Sequence, residues 1–214
     1  VLANTMEPAV LGHRILELVP ERSNTAMGLT TFAGLVVATV TQPVVGYLSD
    51  RTRGRSGRRL PYLAGGTLLV LCALGLLVIA PSLALVCASV LLLQMGSNTI
   101  QGPWQALIPD LVPESQRGRA SGLKAVTDIL GLMVGRQAAG QLIARAPDWG
   151  RAAVLAAVAV PAVILVIALA LTAIVLRDPP APAPARAASP PDLLRTTFHV
   201  DWCRYPAFGW WFLH

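Results

Sequence analysis

Apolar runs of roughly 20 residues recur along this chain with short polar gaps between them, and that is the length an α-helix needs to cross a hydrocarbon core of about 30 Å. Lipid offers the backbone no hydrogen-bond partner, so only helices and closed barrels span it. Barrel strands alternate apolar and polar residues over about ten positions; these runs are longer and continuous. Charged residues make up 13% of the 214 residues, about half the share of a soluble domain, and they concentrate in the gaps. The expected fold is all-α: a polytopic membrane bundle with helices near residues 1–19, 26–48, 60–80, 83–108, 120–144 and 152–176. Residues 177–206 include DPPAPAPARAASPPD, a composition that suits an extended central linker. Residues 207–214 read as the start of a seventh helix. The chain opens at Val1 inside an apolar segment, so a truncated first helix and a fragment of a longer protein are expected. No cleavable signal peptide is recognisable.

Arginine sets the expected orientation. Arg51, Arg53, Arg55, Arg58 and Arg59 fall between the second and third helices, Arg117 and Arg119 between the fourth and fifth, and Arg177, Arg186, Arg195 and Arg204 after the sixth. These gaps share one side, and the positive-inside rule makes it cytoplasmic. The expected location is the plasma membrane, or the inner membrane in a bacterium. The net charge of +6 is thus a topology signal and gives no reason to expect a nucleic-acid partner. The three cysteines have neither metal spacing nor a disulfide framework. There is no nucleophile–base pair, so an enzyme is not expected, nor a cofactor or metal.

An anchor needs only positive charge, yet Gly46, Leu48, Asp50, Arg51, Gly57, Arg58 and Arg59 add an aspartate, glycines and a fixed spacing. Together they resemble the signature loop joining helices two and three of the major facilitator superfamily. Gly46 would allow close helix approach. Asp50 lies at a helix C-terminus, where the dipole disfavours an anion, and therefore needs an arginine or a helix N-terminus as partner. TQPVVGYLSD, the long loop SDRTRGRSGRRLPY and SNTIQGPWQALIPDL resemble the glycoside–pentoside–hexuronide cation symporters, the sucrose transporter branch in particular. The resemblance implies the N-terminal six-helix half of a twelve-helix transporter, its second half absent from this chain. It also implies proton-coupled uptake of a sugar-like substrate by alternating access, with the bilayer as surroundings. Where such relatives place charges on helices two and four, this chain has Ala38, Gln42, Gln94 and Gln105. PDLVPESQRG, with Asp110, Pro113, Glu114, Arg117 and Gly118, resembles a second loop motif that packs on the first as an inner gate. Pro113 and Glu114 also suit a simple helix start. Drug-exporting relatives carry G-P-x-x-G-G on helix five; here GLMVGRQAAGQL has Gly131, Gly135 and Gly140 without the proline, which favours import. The alternatives are an exporter or carrier of another solute, and a membrane scaffold or sensor that moves nothing.

Gln94, Asn98, Gln101 and Gln105 fall within about 60° of helical arc. Carboxamides facing lipid are costly, so the stripe faces protein or water. It is either a hydrogen-bonding wall for a polyhydroxylated substrate, with Trp104 stacking on a ring, or glue between helices. Intramembrane ionisable groups are functional candidates. Asp128, with Lys124 and Arg136 on the same helix, is a proton-coupling candidate or half of an i,i+4 pair. Glu7, about 16 Å inside the outer end of its helix, is the other. His13, Arg14 and Glu17 are expected to be solvated.

Overall fold

The computed structural model describes residues 10–52 and 57–175. Glu7, Arg53, Arg55, the linker 177–206 and the segment 207–214 lie outside the described residues. The chain divides into two units, Val1–Ala181 and Pro182–His214, and every described residue belongs to the first.

The described residues contain helices and no strand: α1 (Gly12–Leu18), α2 (Ser23–Arg51), α3 (Leu60–Ile79), α4 (Leu83–Leu111), α5 (Arg117–Ala144), α6 (Ala146–Trp149) and α7 (Arg151–Val175). Short 3₁₀ turns, Pro20–Arg22 and Glu114–Gln116, lead into α2 and α5. Four helical stretches are long and apolar enough to cross a membrane: Pro20–Arg51, Leu60–Ile79, Leu83–Leu111 and Ala152–Val175. Helix α5 has 28 residues and is long enough, but Lys124, Asp128 and Arg136 make it too polar for that group. Such residues inside a membrane face protein or water.

Local chemistry sets the ends. Ser82 caps α4 by accepting from the Leu85 amide, the usual service of an N-cap hydroxyl. Pro61 sits in the first turn of α3, where no helical hydrogen bond is lost. Helix α2 continues three residues past the expected 48, which places Asp50 and Arg51 in its last turn. Helix α4 likewise runs to Leu111 and carries Asp110.

Helix α4 is the centre of the bundle, packed against both α3 and α2, while α7 packs on α3 and α5. Gly66 of α3 and Gly96 of α4 form the closest crossing. A Cβ at Gly66 would lie 2.7 Å from Ile100 Cγ1 and 2.8 Å from the Gly96 carbonyl; one at Gly96 would lie 2.9 Å from the Val70 amide. On the α2 side the tight position is Gly102, whose Cβ would lie 3.0 Å from the Gln42 carbonyl and 3.3 Å from the Gly46 amide. Gly46 lends its backbone to this approach, but a Cβ on Gly46 itself would meet nothing within 4 Å. The apolar core lies toward the other end, where Leu11, Ile15, Val70, Leu77, Val90 and Ala157 are buried together. Leu29, Phe32 and Leu35 on α2, and Val163, Ile164 and Ile167 on α7, are exposed, as lipid-facing residues are.

One expectation fails at this apolar end. Arg14 is not solvated: its side chain is 15% exposed and pairs with Glu17 at 2.6 Å. It also donates from Nη2 to the Ala80 carbonyl, just past the end of α3. A helix C-terminus leaves carbonyls without helical partners and carries partial negative charge, so the buried guanidinium is well placed there. His13 Nε2 lies 3.3 Å from Glu17. These residues line a cavity of about 610 Å³ with Ile143, Pro147 and Val154.

Candidate functional site

At the arginine-rich end three helix ends meet through one side chain. Gly57 has φ 82°, the left-handed region open to glycine, and it precedes Arg58 and Arg59 at the entrance to α3. The Arg59 side chain is 3% exposed. Its Nη1 donates to Ser49 Oγ at 2.6 Å and lies 2.6 Å from Asp50 Oδ1. Its Nε and Nη2 donate to Asp110 Oδ2 at 3.1 and 2.9 Å. Arg58 Nη2 reaches the other oxygen, Asp110 Oδ1, at 2.8 Å. Ser49 is fully buried and donates in turn to the Gly46 carbonyl at 2.9 Å. The loop residues Asp50, Gly57, Arg58 and Arg59 are thereby brought together with Asp110. A planar guanidinium suits this geometry because its donors point along fixed directions.

The two acid partners differ. Asp110 is 18% exposed and Asp50 is 57% exposed. An exposed pair contributes about 0–1 kcal/mol, whereas removing one partner of a buried pair costs about 3–5 kcal/mol. The α3–α4 connection is therefore the strong one and the α2–α3 connection through Asp50 the weak one. Arg51 and Arg117 stand apart from the cluster. Arg51 stacks on the Tyr47 ring at 3.8 Å. Arg117 donates to the carbonyls of Val112 and Pro109 at 3.2 and 3.0 Å and so caps the end of α4. Neighbouring hydroxyls of Thr52 and Tyr62, 2.7 Å apart, add a second α2–α3 link.

The amide stripe is divided. Asn98 is 7% exposed and folds back on its own helix, donating to the Gln94 carbonyl at 2.8 Å. Gln94 packs on α2 where Gly34 leaves room; a Cβ there would lie 3.0 Å from Gln94 Cγ. Gln105 accepts from Gln42 Nε2 at 3.5 Å, a long bond between α4 and α2. Gln101, Gln105 and Trp104 are exposed. Two of the four amides thus touch α2, while Gln101, Gln105 and Trp104 also present open surface.

On α5, Lys124 Nζ lies 2.6 Å from Asp128 Oδ2, with the side chains 27% and 40% exposed. Arg136 is eight residues further on, about 12 Å along the axis. No group of three or more His, Cys, Asp or Glu among the described residues is placed to hold a metal ion. Ser49 was not singled out by sequence, and Gln42 was named there only as a position where relatives carry a charge. A helix-end serine is too common to stand out, and only the Arg59 side chain across the helices makes it distinctive.

A family model described as Major Facilitator Superfamily matches residues 17–214. Among curated proteins, the chain is similar to the sucrose transport protein SUT4 of Oryza sativa subsp. indica, 28% identical over 128 residues, with 48% of this chain and 22% of that protein covered. The same protein from Oryza sativa subsp. japonica matches with the same figures. The chain spans 22% of the length of these curated relatives.

Proposed function

We propose that this chain, which belongs to the Major Facilitator Superfamily, forms one half of a secondary active transporter that takes up a sugar or glycoside by alternating access. The observation that carries the reading is the exposed polar surface of α4, where Gln101, Gln105 and Trp104 stand side by side. Carboxamides offer paired donors and acceptors that match vicinal hydroxyls, and an indole face suits the apolar face of a sugar ring. The similarity to sucrose transport proteins supports the same substrate class. A second half-bundle supplies the opposite wall in this reading, and the bilayer surrounds both.

In the proposed mechanism substrate enters beside α4 and binds on its amides. The Arg59 cluster closes the cytoplasmic face while the other face is open, and parts when the helices rock. Asp128, paired with Lys124, carries the coupling proton, with Arg136 further along the same helix; Glu7 is the second candidate. The neutral amides of Gln42, Gln94 and Gln105 favour one competing reading, a protein of this fold that moves its solute without coupling or not at all.

Counterflow of labelled sucrose and simple glucosides into proteoliposomes tests the reading. Gln101→Leu and Gln105→Leu are expected to weaken substrate binding about tenfold each, since each leaves a hydroxyl unpaired, with membrane expression unchanged. Normal binding in both variants means the stripe joins helices only. Counterflow absent for every sugar sinks the substrate class.

A further inference from the structure

We propose that Ser49 is a positioning residue of the gate: it holds the Arg59 guanidinium on α2 as a second, buried acceptor, so that Arg59 stays docked when Asp50 lets go. The assignment rests on the reading of this cluster as the gate of an alternating-access transporter.

Nη1 of Arg59 lies at equal distance from two acceptors of α2 among the described residues, Ser49 Oγ at 2.6 Å and Asp50 Oδ1 at 2.6 Å. Their surroundings differ sharply. Ser49 is 0% exposed, and Asp50 is 57% exposed. Water and salt screen the Asp50 pair and can replace it. Nothing replaces a buried hydroxyl, and a guanidinium N–H left unpaired inside the protein carries the full cost of its lost hydration. The hydroxyl is also oriented for the task. Its proton goes to the Gly46 carbonyl one turn back at 2.9 Å, which turns its lone pairs toward Arg59. The other edge of Arg59 is fixed on Asp110 of α4. The guanidinium is thus a three-helix clamp with one loose jaw, Asp50, and one firm jaw on the same helix, Ser49. Loss of the Asp50 contact alone leaves α2 attached to α3 and α4.

Accessibility of a single cysteine tests this in the reconstituted protein. Cys72, Cys87 and Cys203 are replaced by serine and Gln101→Cys is introduced on α4. Labelling by a membrane-impermeant maleimide, added at the arginine-rich face, is timed in parent, Ser49→Ala, Ser49→Thr and Asp50→Asn. Ser49→Ala is expected to raise the labelling rate about tenfold, the cost of one buried unpaired N–H. Ser49→Thr, which keeps the hydroxyl, is expected to stay within about twofold of parent, and Asp50→Asn to rise no more than about threefold, as for an exposed pair. A parental rate in Ser49→Ala overturns the assignment. So does a rise of about tenfold or more in Asp50→Asn alone, an outcome readable even when the alanine variant does not fold. Counterflow by the protein with its native sequence reads transport separately. Its absence beside the expected Ser49→Ala effect supports the assignment and overturns the substrate reading alone.

Discussion

Arg59 is the residue on which most of the polar structure at one end of the bundle depends, and its acid partners are unequal in burial. Asp110→Asn removes charge from an acceptor shared by Arg58 and Arg59 and is expected to cost about 3 kcal/mol. Asp50→Asn is expected to cost less than about 1 kcal/mol. Thermal unfolding in detergent checks the order, and equal losses contradict it. Asp128 is a different case, because its partner Lys124 lies one turn away on the same helix, so among the described residues this pair links no two helices. If Asp128 carries the proton, Asp128→Asn abolishes accumulation of substrate against a gradient yet leaves counterflow intact. Normal accumulation in both Asp128→Asn and Glu7→Gln removes the coupling role from these two groups. At this scale the sequence was readable where chemistry is local. That Asp50 requires a cation follows from its place at a helix end. That the cation is Arg59, and that Asp110 and Ser49 share it, depends on three helix ends meeting in space, and no spacing along the chain encodes that meeting.

Helices declare themselves through long apolar runs, so the all-helical, membrane-spanning class was legible from residue order alone. Their mutual approach was less so. Gly46 was expected to allow a close helix approach, and its backbone does lie against Gly102 of α4, but among the described residues the positions with least room for a side chain are Gly66 and Gly96. Sequence shows that a glycine is small, while packing decides which of many glycines must be. Gly66→Ala forces a methyl to within 2.8 Å of the Gly96 carbonyl, which is backbone and cannot rotate away. Overpacking of this kind costs about 1–3 kcal/mol. Gly75→Ala on the same helix meets nothing within 4 Å and is expected to be neutral or stabilising by up to about 1 kcal/mol. Melting temperatures of the two variants, measured in one detergent, distinguish the positions; a shared shift rules out the crossing as the cause.

Across the whole molecule, the expected arginine asymmetry makes a claim about sidedness. Ser115 lies exposed in the turn before α5, at the end of α4 that carries Asp110. Ser115→Cys is expected to react with an impermeant thiol reagent in inside-out vesicles and to stay unreacted in intact cells; the reverse pattern inverts the topology. Helix α3 joins the two ends of the bundle and is held at both, by Arg59 before its first turn and by Arg14 on the Ala80 carbonyl after its last. The two attachments differ in what mutation can undo. Among the described residues Arg59 engages the side chains of Ser49, Asp50 and Asp110, so changes at any of these four codons can loosen that end. Arg14 grips a carbonyl that every amino acid possesses, so among the described side chains the genetic target at the opposite end is Arg14 with its partner Glu17, and buried position 80 is restrained to small apolar residues. Under random mutagenesis the two ends of one helix should therefore wear at different rates, with lesions gathering at the arginine-rich end while the other keeps its hold on almost any small apolar residue.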